Sequence, residues 1–165
     1  MKIFSILKSH RPDISEHEAW AVSDAILEQS AKHNFDPMLV LAMIEVESGF
    51  QYAVVSPSGA RGIMQLLPDV AKSVLDEISS PYESKNRPFR PEALDDPVLN
   101  IKLGVSYLHS LRKSFRNLQL ALLAYNAGPT EIRNRLDNDM ELSDEYSSAV
   151  LNKYQRYKSA KPPIF

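Results

Sequence analysis

The 165-residue chain contains no cysteine. That excludes thiol catalysis, disulfide staples and cysteine-based zinc sites, but leaves the compartment open. There is no excess of basic charge either: 19 Lys and Arg face 21 Asp and Glu, for a net charge of −2. Such a balance does not suit gripping a phosphate backbone, so no nucleic-acid partner is expected. No apolar run approaches the roughly 18 residues of a membrane span. The N-terminal MKIFSILKSHRPD carries only a short apolar patch, too short for a signal core, with no small-residue cleavage site after it. The four histidines, His10, His17, His33 and His109, are scattered. His17-Glu18 begins like a zincin motif, but Ala21 stands where the second histidine belongs. No metal and no cofactor are expected.

What is present reads as helix. Ser15 and Glu18 form a capping-box pattern, and Ala19, Val22 and Ile26 follow at helical spacing. This predicts a helix to about Lys32, with Asn34 as its stop. Asp36-Pro37 restarts a helix with Asp at the N-cap and Pro at the first helical position. That helix, to about Ser48, is apolar around its whole circumference and therefore belongs in a core. Pro57, Gly59 and Gly62 mark residues 49–67 as an ordered loop. Further helices are predicted from Pro68 to Leu75, from Asp96-Pro97 to Arg112 and Lys113, over Leu118–Tyr125, over Thr130–Leu136, and from Ser143 onward. Residues 79–96 are polar, hold three prolines and lack periodicity, so they read as a long loop. No strand is apparent. The expected fold is all-α: one domain of six to eight helices over residues 15–160, preceded by an extension (1–14) and followed by a loose tail (161–165).

The chemistry concentrates in IEVESGF, residues 44–50. Glu45 and Glu47 close the apolar helix, and carboxylates are rarely tolerated in a core unless paired or used. They lie about 200° apart on the wheel, so they do not face one cavity as a pair. Apolar surroundings and the negative helix end both push a carboxyl pKa upward, as a general acid requires. Either glutamate could equally reach solvent or meet a basic residue. Local chemistry does not choose between them.

Four segments resemble one family. Glu47-Ser48-Gly49-Phe50 is similar to the ES-x-F/W segment of the soluble lytic transglycosylases. SPSGARGIMQLLP (Ser56–Pro68) resembles their Gly-Leu-Met-Gln segment with its Ser-Pro lead-in, with Ile63 the one conservative departure. DPVLNIKLGVSYL (Asp96–Leu108) resembles their asparagine-containing helix, and AYNAGP (Ala124–Pro129) their third segment. The four occur in order and cover about residues 19–158.

The resemblance implies a goose-type lysozyme-like fold. It also implies non-hydrolytic cleavage of peptidoglycan glycan strands to 1,6-anhydro ends, with Glu47 as the sole catalytic acid/base. The alternatives are a hydrolytic muramidase of the same fold and a catalytically idle glycan-binding module. The resemblance implies substrate-binding roles for Ser56, Met64, Gln65, Tyr125, Asn126 and Tyr146. Tyr125 would stand beside the acid and orient it, and Ser56 would hydrogen-bond near it. Each residue also has a plain structural reading: a turn serine, a packing methionine, a helix-capping asparagine, core tyrosines. Asp69 and Asp96 are explained most economically as helix-start charges. The residues 77–95 stretch is a departure that could lengthen the glycan cleft. The implied partner is peptidoglycan, the implied location the periplasm or cell envelope, and a monomer is expected.

Overall fold

The computed structural model describes residues 2–79 and 88–160. Among them are eight α-helices: α1 (Lys2–His10), α2 (Glu16–His33), α3 (Pro37–Ser48), α4 (Pro68–Ile78), α5 (Pro97–Phe115), α6 (Leu118–Ala127), α7 (Pro129–Asp137) and α8 (Glu145–Ser159). A 3-10 turn, Pro91–Asp95, precedes α5. The described residues form no extended strand, only isolated bridges pairing Arg61 with Val55 and Leu66. The all-α expectation holds.

The predicted caps form. Ser15 accepts from the Glu18 amide while the Glu18 carboxylate accepts from the Ser15 amide, a complete capping box. Asn34 ends α2 in the left-handed conformation. Asp36 caps α3 through Met38, with Pro37 behind it, and Gly49 ends α3 at φ +57°. Asp96 caps α5 by accepting from the Val98 amide at 2.9 Å, which accounts for its carboxylate structurally. Asp69 lies exposed in the first turn of α4.

α3 is the centre of the core. Leu39 through Ile44 are all buried, as an all-round apolar helix must be. It packs chiefly against α8 and also against α2, while α5 packs against α2, α4 and α6. α1 is a helix where the sequence reading expected only an extension. It lies on α2, with Ile3 and Leu7 buried. Part of the expected 79–96 loop is also built into the body. Leu94 is buried, and Asp95 pairs with Arg61 through two bonds of 2.7 Å. The rest of that loop, 80–87, and the tail expected at 161–165 lie outside the described residues.

The loop between α3 and α4 is held in place largely by side chains acting on its backbone. Buried Asn100, on α5, accepts from the Met64 amide at 2.9 Å. It donates to the carbonyls of Arg61 (3.0 Å) and Leu94 (2.9 Å). Ser48 donates to the Ile63 carbonyl at 2.8 Å, tying the loop to the end of α3. Gly62, at φ +84°, passes so close to Asn100 that an added Cβ would meet its amide nitrogen at 2.1 Å and the Leu94 carbonyl at 2.2 Å. Gly59 has a similar φ, +85°, but open space around it.

The two glycines therefore separate backbone strain from collision. Gly59→Ala meets only the left-handed penalty, about 1–2 kcal/mol. Gly62→Ala adds overpacking against Asn100, a further ~1–3 kcal/mol. Chemical denaturation should show Gly62→Ala as clearly the less stable variant. Equal losses would mean that the close approach to Asn100 is not a constraint.

Candidate active site

α3 delivers its two glutamates to different neighbours, as the wheel required. Glu45 receives the Lys153 ammonium and the Tyr157 hydroxyl, both from the later turns of α8, and has His10 at 3.8 Å. Burial pushes the Glu45 carboxyl up, but Lys153 and Tyr157 outweigh it and hold the group below its ordinary value. The upward push expected at the helix end thus fails at Glu45, because α8 supplies a cation and a donor there.

Glu47 receives no cation among the described residues. Burial pushes its carboxyl from 4.5 up to about 7, against a smaller downward pull from the Tyr146 hydroxyl that donates to Oε1. Tyr146 stands in the first turn of α8, so one helix serves both carboxyls with opposite results. At neutral pH Glu47 is poised between acid and base, the condition for passing a proton in both directions.

The Glu47 carboxyl lines a cavity of about 430 Å³, walled by the α3–α4 loop, the start of α4, Tyr107 of α5, and the end of α6 with Gly128 and Pro129. Ser56, Gln65, Tyr125 and Asn126 line the same cavity, so the structure gathers these sequence candidates around Glu47. Asn126 is exposed near the end of α6. Ser56 organises its own turn: its hydroxyl accepts from the Ala60 amide at 3.0 Å and lies 2.9 Å from the Ser58 hydroxyl. It makes no direct bond to Glu47.

Three expected contacts are redirected. Tyr125 does not orient the acid. Its buried hydroxyl donates to the Met64 carbonyl at 3.0 Å, and Tyr146 is the tyrosine bonded to Glu47. Met64 does not line the cavity. Its side chain is fully buried, with Sδ over Gly104, where an added Cβ would lie 2.6 Å away. Gln65 spends its amide NH₂ on the carbonyls of Val54 (3.0 Å) and Gly62 (2.9 Å), which keeps its own backbone in the left-handed region at φ +49°. Much of the hydrogen-bonding capacity of the motif residues therefore shapes the loop beside Glu47. For Tyr125 and Tyr146, burial and the nearby Glu47 push the phenols well above their ordinary pKa, so both remain donors.

Tyr107 was not singled out from the sequence. It lines the cavity with its ring 5.3 Å from that of Tyr125. The available signal was its place in SYL of the asparagine-containing segment, three residues after Gly104 and so on a neighbouring patch of helix. Asn100 and Gly104 were likewise visible in that motif, but they press on distant residues: Asn100 on Met64, 36 positions away, and Gly104 on Met64 and Tyr125.

Comparison with known proteins places this geometry. The family model described as Transglycosylase SLT domain matches residues 24–148. Soluble lytic murein transglycosylase of Escherichia coli (strain K12) is 32% identical over 126 residues, covering 76% of this chain and 19% of that protein. The 70-kDa soluble lytic transglycosylase in complex with bulgecin A superposes with a TM-score of 0.72 at 27% identity, over 91% of this chain and 26% of that one. An inactive glutamate-to-glutamine mutant of lytic transglycosylase Slt from Pseudomonas aeruginosa superposes with a TM-score of 0.68 at 25% identity, over 84% of this chain and 25% of that one. The chain thus spans about a fifth of its curated soluble relative and about a quarter of these structures. The matched stretch runs from α2 into α8 and carries Glu47 with its cavity, and on that evidence the chain belongs to the Transglycosylase SLT domain family.

Proposed function

We propose that this chain is a lytic transglycosylase domain that cleaves the bond between N-acetylmuramic acid and N-acetylglucosamine in peptidoglycan, with Glu47 as its single acid/base. The observation that carries this reading is a carboxyl raised to about 7 by burial, in a cavity it shares with no other carboxylate among the described residues. Glycosidases that work through a pair of carboxyls need the second as nucleophile or as base for water. A site with one needs a substrate that supplies its own nucleophile.

The chemistry then closes on itself. Protonated Glu47 donates to the glycosidic oxygen as the C1–O bond breaks, and the neighbouring acetamido group shields the cationic C1. The resulting carboxylate accepts the proton of the sugar's C6 hydroxyl, whose oxygen bonds to C1. One C–O bond breaks, one forms, and Glu47 ends protonated as it began. No water is consumed. Tyr146 orients the carboxyl throughout, while Ser56, Gln65, Tyr107, Tyr125 and Asn126 shape the wall the sugar meets. The inactive glutamate-to-glutamine relative supports a glutamate in this role. Action on peptidoglycan implies the periplasm or cell envelope. No described helix is long and apolar enough to cross a membrane.

The hydrolytic alternative finds its candidates next door: Glu131 and Glu145 line the adjoining cavity, Glu131 already paired with Arg135 at 2.6 Å. Mass spectrometry of digested peptidoglycan separates the two readings. Products one water lighter than the reducing sugar are expected, and reducing ends lost on Glu145→Gln would establish hydrolysis instead.

Glu47→Gln should reduce cleavage at least about a thousandfold, in the range of losing both acid and base steps. The same variant should be more stable than the wild type above pH 7. The folded carboxyl titrates near 7 and the unfolded one near 4.5, so wild-type stability falls as pH rises through that window. The gap is at most roughly 3 kcal/mol and vanishes near the unfolded value. Urea melts across pH measure it, and a Gln variant no more stable at high pH would mean that Glu47 is not buried as described.

Because Tyr146 pulls the Glu47 pKa down, Tyr146→Phe should move the alkaline limb of the kcat/KM profile to higher pH. An unmoved limb with lower activity would reduce Tyr146 to packing.

A further inference from the structure

Besides its apolar face, α8 is tied to α3 and its cap through three carboxyls. Tyr146 donates to Glu47, Lys153 and Tyr157 donate to the two oxygens of Glu45, and Tyr154 donates to the Asp36 carboxylate at 3.0 Å. Asp36 caps the start of α3, while Glu45 and Glu47 stand in its last turn. Tyr146, Val150, Lys153 and Tyr157 follow one another at steps of four, three and four residues, so they share one face of α8. Val150, within that face, is fully buried.

The ties are not equal. Tyr146 stands in the first turn of α8, whose N-cap Asp144 makes no side-chain capping bond. The first amides of a helix have no partner within it, so that turn is held least by its own helix. Tyr146 also offers a neutral phenol to a carboxyl that loses and regains its proton in the proposed reaction. Glu45 differs on both counts. Lys153 and Tyr157 grip it from the middle and the last turn of α8, and bonds between charged groups are roughly twice as strong as neutral ones. The same two donors hold the Glu45 carboxyl below its ordinary value, so it stays ionised near 7, where Glu47 titrates. The grip at Glu45 keeps its strength while Glu47 changes charge.

We infer that Glu45 is a positioning residue for the reaction: its bonds to Lys153 and Tyr157 set how α8 slides and turns on α3, and so hold the Tyr146 hydroxyl on Glu47. Lys153 lies two turns beyond Tyr146, about 10 Å along α8, close enough for a rigid helix to carry the constraint. The role presupposes Glu47 as the acid and acts on it through Tyr146. The other ionisable neighbours are His10 of α1, 3.8 Å from Glu45, Arg156 beside Glu45 in a cavity of about 170 Å³, and Tyr125 of α6 near Glu47.

Two variants of the full chain test this, Glu45→Leu and Lys153→Met. The readouts are a carbon-13 NMR titration of the Glu47 carboxyl and the kcat/KM profile on peptidoglycan. Lys153 is 31% exposed, so its variant should fold even where Glu45→Leu does not. A loosened α8 takes donation away from Glu47 in either variant. Both should therefore raise the Glu47 titration and the alkaline limb by at least about 0.3 pH unit, roughly a twofold change in the constant. In a Tyr146→Phe background neither should move them further, because effects that pass through one residue do not add. A direct influence of charge behaves otherwise: losing the Glu45 anion lowers the Glu47 titration, and losing the Lys153 cation raises it. Shifts of opposite sign, or shifts that persist without the Tyr146 hydroxyl, would overturn the proposal. So would unmoved titrations with a lower melting temperature, which would leave the Glu45 contacts to stability alone. The NMR titration needs no turnover, so a wild-type chain that fails to cleave would sink the activity and still decide the role of Glu45.

Discussion

Removal of water from one carboxyl is the constraint on which the rest of this structure turns. Glu47 ends a helix whose preceding residues, Leu39 to Ile44, are all buried, and its pKa rises because burial opposes its charge. A cation beside it would undo that effect, as Lys153 does two residues earlier at Glu45. The difference lies in α8. Its first turn offers Glu47 a neutral phenol, which fixes the carboxyl without strongly favouring its ionised form. Its later turns offer Glu45 an ammonium. The strain of a half-buried acid at Glu47 is offset by the packing of α3 between α2 and α8.

A carboxyl held this way is useful only if substrate can reach it, and reach depends on the α3–α4 loop. That loop turns back on itself through left-handed residues at Gly59, Gly62 and Gln65. It is held from four sides: Ser48 of α3, Asn100 of α5, Tyr125 of α6 and its own Gln65. Neutral hydrogen bonds of this kind contribute about 1 kcal/mol each, but a buried partner left unsatisfied costs more. The network therefore behaves as a set, and Gly62 and Gly104 are the points where any side chain would push it apart.

Local signals along the chain foretold the helices well because they are local. Capping box, Asp-Pro starts, terminal glycine and 3.6-residue spacing each act within one turn. α1 escaped because its apolar residues Ile3 and Leu7 amount to a single short stripe that gains meaning only against α2. The 3-10 turn at Pro91–Asp95 escaped for a related reason. Its anchors, Asn100 to the Leu94 carbonyl and Arg61 to Asp95, come from outside the turn. Around Glu47, the motif residues Ser56, Gln65, Tyr125 and Asn126 gather at one cavity, while Met64 does not and Tyr125 bonds to the loop instead of the acid. Tyr125 and Tyr146 look alike in sequence, and only their positions decide that one holds a carbonyl of the loop and the other holds Glu47.

The sequence by itself determined that the chain is helical, that α3 must be buried, that Glu45 and Glu47 face apart, and which motif segments belong together. The first three follow from spacing and polarity along the chain, and the last from resemblance to one family. Only the tertiary structure decided which carboxyl keeps its proton. That choice depends on what α8, about a hundred residues further on, places against each glutamate: Lys153 and Tyr157 at one, Tyr146 alone at the other. Desolvation and pairing are properties of a neighbourhood, and the neighbourhood exists only once the helices have packed.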